Sequence, residues 1–443
     1  MRILSRPMTL IPTLAVVAIL AAACSSDTAT AEQTATTAAP ATTEAPTTAA
    51  PTTEAPTTAA AETTTEAPEP GLDVEALTAD VQTALASWRE LNGAPGTSLA
   101  LVLADDTVIE VADGLVDMQA DEPVTTDSYF RIGSISKSMT SAVVLQLVDE
   151  GLIDLDAPVR TYIDGWLGDY EYADEITIRQ LMNHTNGLVE YALDPSFFIF
   201  AGQRLDDDLE PEEIIDWLSE QKPLFAPGEE YSYETGGFLT LGRVIEVVTG
   251  NEAVDEINQR LFDAAGADDI YLPPDEFPPN PVVNGYGRGL MYLASFGLIG
   301  RTDETGLMIN GEPVADVYEL PQDVLQSAGW TGGGIEAQLE SVAEVMEVMF
   351  DGTVLNDAQI AEMTAPTLDS NYGLGIDTRE QDGVLVYSHG GGVPGFRSQA
   401  GYFPSADISY AFSASLIPLP VGGGVGEMQA ALIDVLREYE LIA

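Results

Sequence analysis

The sequence predicts an α/β (α+β) domain: one antiparallel sheet built from both ends of the chain, flanked by helices, with a mostly helical region inserted between its halves. Three observations predict it. Short apolar runs bounded by turn residues occur early in the chain and again late. Between them, over about residues 155–329, the periodicity is helical or loop-like. A buried-helix pattern (Met139, Val143, Val144, Leu147, Val148) starts directly behind Ser134 and ends near Gly151.

Taken in order, residues 1–23 have the layout of an export signal. Arg2 and Arg6 precede an apolar core from Leu10 to Leu20, too short for a membrane span, and Ala21-Ala22-Ala23 leads into Cys24. Residues 24–70 are then dominated by Thr, Ala, Pro and Glu, with a near-repeat of Thr42–Pro51 at Thr52–Ala61. No aromatic or large aliphatic side chain is present to offset the entropy of ordering them, so the stretch reads as a disordered tether. Such a tether has a reach on the order of 35–40 Å. Residues 71–443 form the folded domain.

Within that domain Leu77, Val81, Leu85 and Trp88 give a helix over Val74–Leu91, closed by Asn92-Gly93. Ser98–Leu103 and Val108–Ala112 read as a hairpin around Asp105-Asp106. Helices are expected at Ile176–Met182, Pro211–Lys222, Gly237–Val248 and Ser341–Phe350. Strands return at Tyr372–Ile376, Val384–Tyr387, Ser398–Phe403 and Ile408–Ser413, and a last helix covers Gly426–Leu441.

Composition excludes some functions. A net charge of −56 argues against nucleic acid, whose phosphates need a basic surface. An acidic shell suited to high salt is the expectation, with Asp206-Asp207-Asp208 as a solvated face; that run lacks the spaced oxygens of a calcium loop. Cys24 is the only cysteine, so one chain forms no disulfide and has no cysteine-based metal site. Gly332-Gly333-Gly334 reads as a flexible turn, not a phosphate loop, because no Gly-Lys-Ser/Thr follows.

Ser134 and Lys137 carry the chemistry. Gly133 precedes the serine, which opens its helix, and positions i and i+3 share a face. A neutral amine there takes the hydroxyl proton, and the helix terminus favours developing negative charge: this is the Ser-x-x-Lys arrangement of an acylating serine. The chain has only two lysines, and Ser219-Glu220-Gln221-Lys222 fits the same spacing. Ser219, however, ends a helix-like run, so Lys222 reads as a C-terminal dipole partner.

Four ordered blocks resemble the serine β-lactamase-related family of class C β-lactamases, D-alanyl-D-alanine carboxypeptidases and related esterases. They are Phe130–Val159 around Ser134, Thr177–Leu188 with His184-Thr185-Asn186-Gly187-Leu188, Phe225-Ala226-Pro227-Gly228 leading to Tyr233, and His389-Gly390-Gly391. The resemblance covers roughly Val74 to the C-terminus and implies a β-lactamase/transpeptidase-like fold. It implies Ser134 as nucleophile, with Lys137 and Tyr233 relaying its proton to the leaving group. The oxyanion falls to the backbone N–H groups of Ser134 and Gly392, and substrate contact to His389, Gly391 and Thr235. No metal or cofactor is required. His184 reads as a structural residue. The start of the chain resembles a bacterial lipoprotein signal, which implies lipidation at Cys24 and a cell-membrane anchor on the extracytoplasmic face.

Two departures bear on substrate. Tyr233-Glu234-Thr235 stands where the family has Tyr-Ser-Asn, and Gly390 replaces the threonine associated with a substrate carboxylate. Glu234, if it points inward, would disfavour anionic substrates. The expected function is an exported serine hydrolase acting through an acyl-enzyme, with D-alanyl-D-alanine carboxypeptidase or penicillin-binding activity on peptidoglycan stems leading. Esterase activity, then β-lactamase, then a slowly turning-over acyl-sensor are the alternatives.

Overall fold

The computed structural model describes residues 72–201, 208–288, 307–309, 312–317, 322–417 and 424–443. The expected signal, Cys24 and the tether lie outside the described residues, as do Asp206 and Asp207. The domain opens with helix α1, Val74–Asn92. Asp73 Oδ1 accepts the Ala76 N–H at 3.0 Å, and Gly93 closes the helix at φ 69°.

The main sheet has six strands: β1 Gly96–Val102, β2 Val108–Gly114, β3 Asp377–Gln381, β4 Val384–Val393, β5 Phe396–Phe403 and β6 Ile408–Ala414. Their order is β2-β1-β6-β5-β4-β3, antiparallel at every pairing. The register Leu99↔Phe412 joins the two ends of the chain, as the separated strand runs predict. Strand β1 is buried on both sides, so its side chains alternate between two cores. Leu99 and Leu101 pack with Leu77, Leu85 and Leu432. The last belongs to helix α5, Val425–Glu438. Ala100 and Val102 face the other core, with Met139, Val143 and Val342.

That second core holds helix α2, Ile135–Asp149, helix α3, Gly236–Thr249, and helix α4, Leu339–Phe350. Helix α2 is buried almost all round, which suits its lack of a polar face. Its hydroxyls are spent inward: Ser138 Oγ donates to Gly375 O at 2.6 Å and Thr140 Oγ1 to Thr331 O at 2.7 Å.

One expectation changes. Tyr372–Ile376 is not a strand. Gly375 sits at φ +78°, and its N–H donates to Met182 O at 3.0 Å, so the segment ties into helical neighbours; the strand begins at Asp377. The mostly helical inserted region also contributes short strands. Tyr286–Arg288, Met308–Ile309 and Glu312–Asp316 form a small sheet with Leu416–Ile417, in runs too short for periodicity to reveal. Among the described residues no helix is long and apolar enough to cross a membrane.

Candidate active site

Ser134 caps α2 at its first turn, half-buried, behind Gly133 at φ +58°. That left-handed conformation favours glycine, and space demands it too, since a Cβ there would lie 2.8 Å from Gly392 N. The neighbouring edge is the far half of β4. Strand β3 pairs with β4 only as far as Ser388, so residues 389–393 keep one strand partner, β5, and turn their other edge to the Ser134 loop. A Cβ on Gly391 would come within 1.9 Å of Ile132 O. Gly133 and Gly391 thus let two backbones meet beside the hydroxyl. The geometry suits N–H donors aimed at a developing oxyanion.

Lys137 is fully buried one turn along. Its Nζ donates to Ser134 Oγ at 3.2 Å, to Thr235 Oγ1 at 3.3 Å and to Gly332 O at 2.6 Å. It also lies 5.0 Å from the Tyr233 ring centroid and 5.6 Å from that of Phe238. The structure therefore brings Ser134, Lys137, Tyr233 and Thr235 together from two blocks far apart in sequence. Ser219 donates to Asp216 O, and Lys222 is exposed, away from this arrangement.

Three neighbours were missed by sequence reasoning. Gly332 belongs to a buried helical turn, Trp330–Gly333, so the glycine run is a rigid wall of the site and not a flexible turn. Glu190 accepts the Thr235 hydroxyl at Oε2 (2.9 Å) and the Ala192 N–H at Oε1 (2.8 Å). Burial pushes its carboxyl up to about 7, against the pull of Lys137. The available signal was the departure at Thr235: a short hydroxyl replacing an amide leaves a polar partner to be supplied from elsewhere. Arg397 is the third. A Cβ on Gly392 would meet its Nη1 at 2.7 Å. Among the arginines whose side chains are described, Arg89, Arg131, Arg160, Arg179, Arg243, Arg260 and Arg379 pair with carboxylates and Arg437 with carbonyl oxygens, whereas Arg397 has neither.

The histidines are interior. His184 is buried at φ +59° among Tyr233, Phe238 and Tyr372, and desolvation holds its pKa well below the usual value, consistent with a packing residue. His389, expected to face substrate, is 3% exposed. Its Nδ1 bonds Gly390 O at 2.7 Å and its Nε2 bonds the Tyr372 hydroxyl at 2.8 Å. Both ring nitrogens are thus already used, and the carbonyl contact fixes Nδ1 as donor and Nε2 as acceptor, which leaves the backbone of His389 as its means of meeting a substrate. Burial, then Lys137, holds its pKa down to about 3. Glu234 does point inward, but to cap α3. It accepts the Gly237 N–H at 2.8 Å and Asn186 Nδ2 at 2.9 Å, with its pKa raised by desolvation.

Comparison with known families matches residues 81–429 to the family Beta-lactamase. Among curated relatives, penicillin-binding protein 4 of Amycolatopsis lactamdurans is 34% identical over 184 residues, covering 41% of this chain and 46% of that protein. A D-aminopeptidase of Brucella ovis is 26% identical, covering 77% of this chain and 59% of its own length. The chain thus spans about half to three fifths of these two relatives. Among solved structures, a D-stereospecific amidohydrolase from Streptomyces sp. superposes with TM-score 0.65 at 25% identity, covering 80% of this chain and 98% of that one. A D-amino acid amidase from Ochrobactrum anthropi, at 23% identity, TM-score 0.69 and coverage of 82% and 99%, shares the fold.

The chain belongs to the Beta-lactamase family, a family of serine hydrolases, and has its β-lactamase/transpeptidase-like fold. The resemblance read from the four sequence blocks is borne out.

Proposed function

We propose that this protein hydrolyses amide bonds of short peptides containing D-amino acids through an acyl-enzyme on Ser134, with D-alanyl-D-alanine carboxypeptidase activity foremost. The observation that carries the reading is the buried Lys137 amine, 3.2 Å from the Ser134 hydroxyl at a helix N-terminus. Ser134 Oγ attacks the carbonyl while its proton passes to neutral Lys137. That proton then reaches the leaving amine, with Tyr233 beside Lys137 sharing the transfer. Backbone N–H groups of Ser134 and Gly392 hold the oxyanion, and water releases the acyl group. No step needs a metal or cofactor.

Arg397 supports the carboxypeptidase reading. An arginine beside Gly392 with no carboxylate partner among the described residues, in so acidic a protein, suits a substrate's terminal carboxylate. A second reading, hydrolysis of D-amino acid amides or of peptides from their amino end, is supported by Glu190 and by the names of several relatives. A carboxylate near Lys137, on a half-buried residue, suits a substrate ammonium.

Export, lipidation at Cys24 and a membrane anchor on the extracytoplasmic face complete the proposal. The tether between residues 24 and 70 would let the domain reach peptidoglycan peptides.

A substrate panel tests it: a D-Ala-D-Ala peptide, D-alanine amide, a p-nitrophenyl ester and nitrocefin, with Thr235→Asn alongside. Carboxypeptidase activity is expected to dominate, and Arg397→Ala to raise KM about tenfold or more for the peptide only. Turnover of D-alanine amide above the peptide, with Arg397→Ala silent, selects the second reading. Turnover of none by the intact chain rejects both.

A further inference from the structure

Thr235 has one hydroxyl proton, and the geometry commits it. The hydroxyl donates to Glu190 Oε2 at 2.9 Å, so the oxygen lone pairs are left to accept from Lys137 Nζ at 3.3 Å. Ala192 N–H on Oε1 fixes the carboxylate from its other side. The result is an unbroken line from the Ser134 hydroxyl through Lys137 and Thr235 to Glu190. Glu190 at its far end is a half-buried residue, whereas Lys137 is fully buried.

We propose that Glu190 is a positioning residue that sets the protonation state of Lys137 through the Thr235 hydroxyl. The proposal rests on the Ser134–Lys137 reading above. The balance is simple. A proton leaves Nζ for Thr235 Oγ1 as the threonine proton moves to Glu190 Oε2. Lys137 becomes a neutral amine, Glu190 a neutral acid, and no charge is created overall. The amine then accepts the Ser134 proton during attack. The return of the Glu190 proton after release of the leaving group restores the resting pair.

The other groups facing Glu190 favour this exchange. Glu234, buried before α3, is a second carboxylate acting on Glu190, and Tyr191 beside it is a buried phenol held neutral, with its pKa raised well above normal. Lys137 is the one cation acting on Glu190 among these groups. Desolvation and Glu234 raise the Glu190 carboxyl toward neutrality, so it takes up and releases a proton near physiological pH. The arrangement also gives the short Thr235 side chain a role: its hydroxyl accepts from the amine and donates to the carboxylate at once, and so can pass a proton on.

The test uses the full chain and an uncharged ester, p-nitrophenyl butyrate, with pH–rate profiles for wild type, Glu190→Gln, Glu190→Asp, Thr235→Val and Thr235→Ser. Fluorophosphonate labelling of Ser134 checks folding and the nucleophile independently. For wild type an acid limb in kcat/KM near pH 7 is expected. Glu190→Gln should lower kcat about tenfold or more, leave KM within about threefold, and move that limb by at least about one pH unit. Thr235→Val should do the same, and the double variant should be no worse than either single one. Glu190→Asp and Thr235→Ser should restore the limb in part. An unmoved limb in Glu190→Gln overturns the proposal. So does a KM effect confined to amine-bearing substrates, which would make Glu190 a substrate contact. Wild type that neither labels nor turns over ester fails the underlying reading instead, and is told apart by that alone.

Discussion

Lys137 is the residue on which the site closes, because a buried amine must be matched atom by atom. It has Ser134, Thr235 and Gly332 as acceptors and two aromatic faces beside it. Burying it would be costly without them. Two glycines nearby make separable predictions. A Cβ on Gly390 meets only Ser398 O within 4 Å, at 3.9 Å, so Gly390→Thr should fold like wild type while adding a hydroxyl beside the site. Gly391→Ala would lie 1.9 Å from Ile132 O. It should cost roughly 1–3 kcal/mol in urea unfolding and slow acylation by moving the Ser134 loop. Tyr372→Phe removes the donor to His389 Nε2 and leaves a buried acceptor unpaired, so a loss of about 1–3 kcal/mol is expected in the same assay. At this scale the sequence was only partly legible. Ser134 and Lys137 announce themselves by spacing, but Glu190 and Arg397 reach the site through folding alone, and no local pattern marks them.

Among the elements, α2 and β4 do the positioning. Helix α2 holds Ser134 at its start and Lys137 one turn on, and its buried hydroxyls tie it to the loops at Gly375 and Thr331. Strand β4 outruns β3 beyond Ser388, which leaves a half-paired edge for the serine loop to meet. The hairpin β1–β2 and helices α1 to α5 were legible because each carries a long periodic pattern or a turn signal. Trp330–Gly333 was not, since three glycines read as a loose turn until Thr140 and Lys137 are seen to bond its carbonyl oxygens. Likewise Tyr372–Ile376 has strand composition but is claimed by tertiary hydrogen bonds.

The whole molecule carries a charge of −56, and its carboxylates are not evenly affected. Burial together with like-charged neighbours pushes Glu110 up to about 6, and Glu344 and Glu347 up to about 7. Raised in the folded state, these groups add stability at pH below their unfolded value, and that stability is lost as pH rises through 6 to 7. His184 and His389 work the other way. Their depressed folded pKa values give stability above the unfolded value of 6.5, lost as pH falls toward the folded value, about 3 for His389. Melting temperature should therefore peak at about pH 5–6 and fall on either side. Added salt at about pH 8 should raise it by screening the acidic surface. A melting temperature that climbs steadily to pH 8, or is indifferent to salt there, would contradict this.

The central claim concerns the Ser134 hydroxyl and the Lys137 amine, and peptide mapping by mass spectrometry after fluorophosphonate treatment tests it most directly. The account predicts one adduct per chain, on Ser134, absent from Ser134→Ala and formed at least about 10²-fold more slowly in Lys137→Ala. An adduct on another residue, or undiminished labelling of Lys137→Ala, would contradict it.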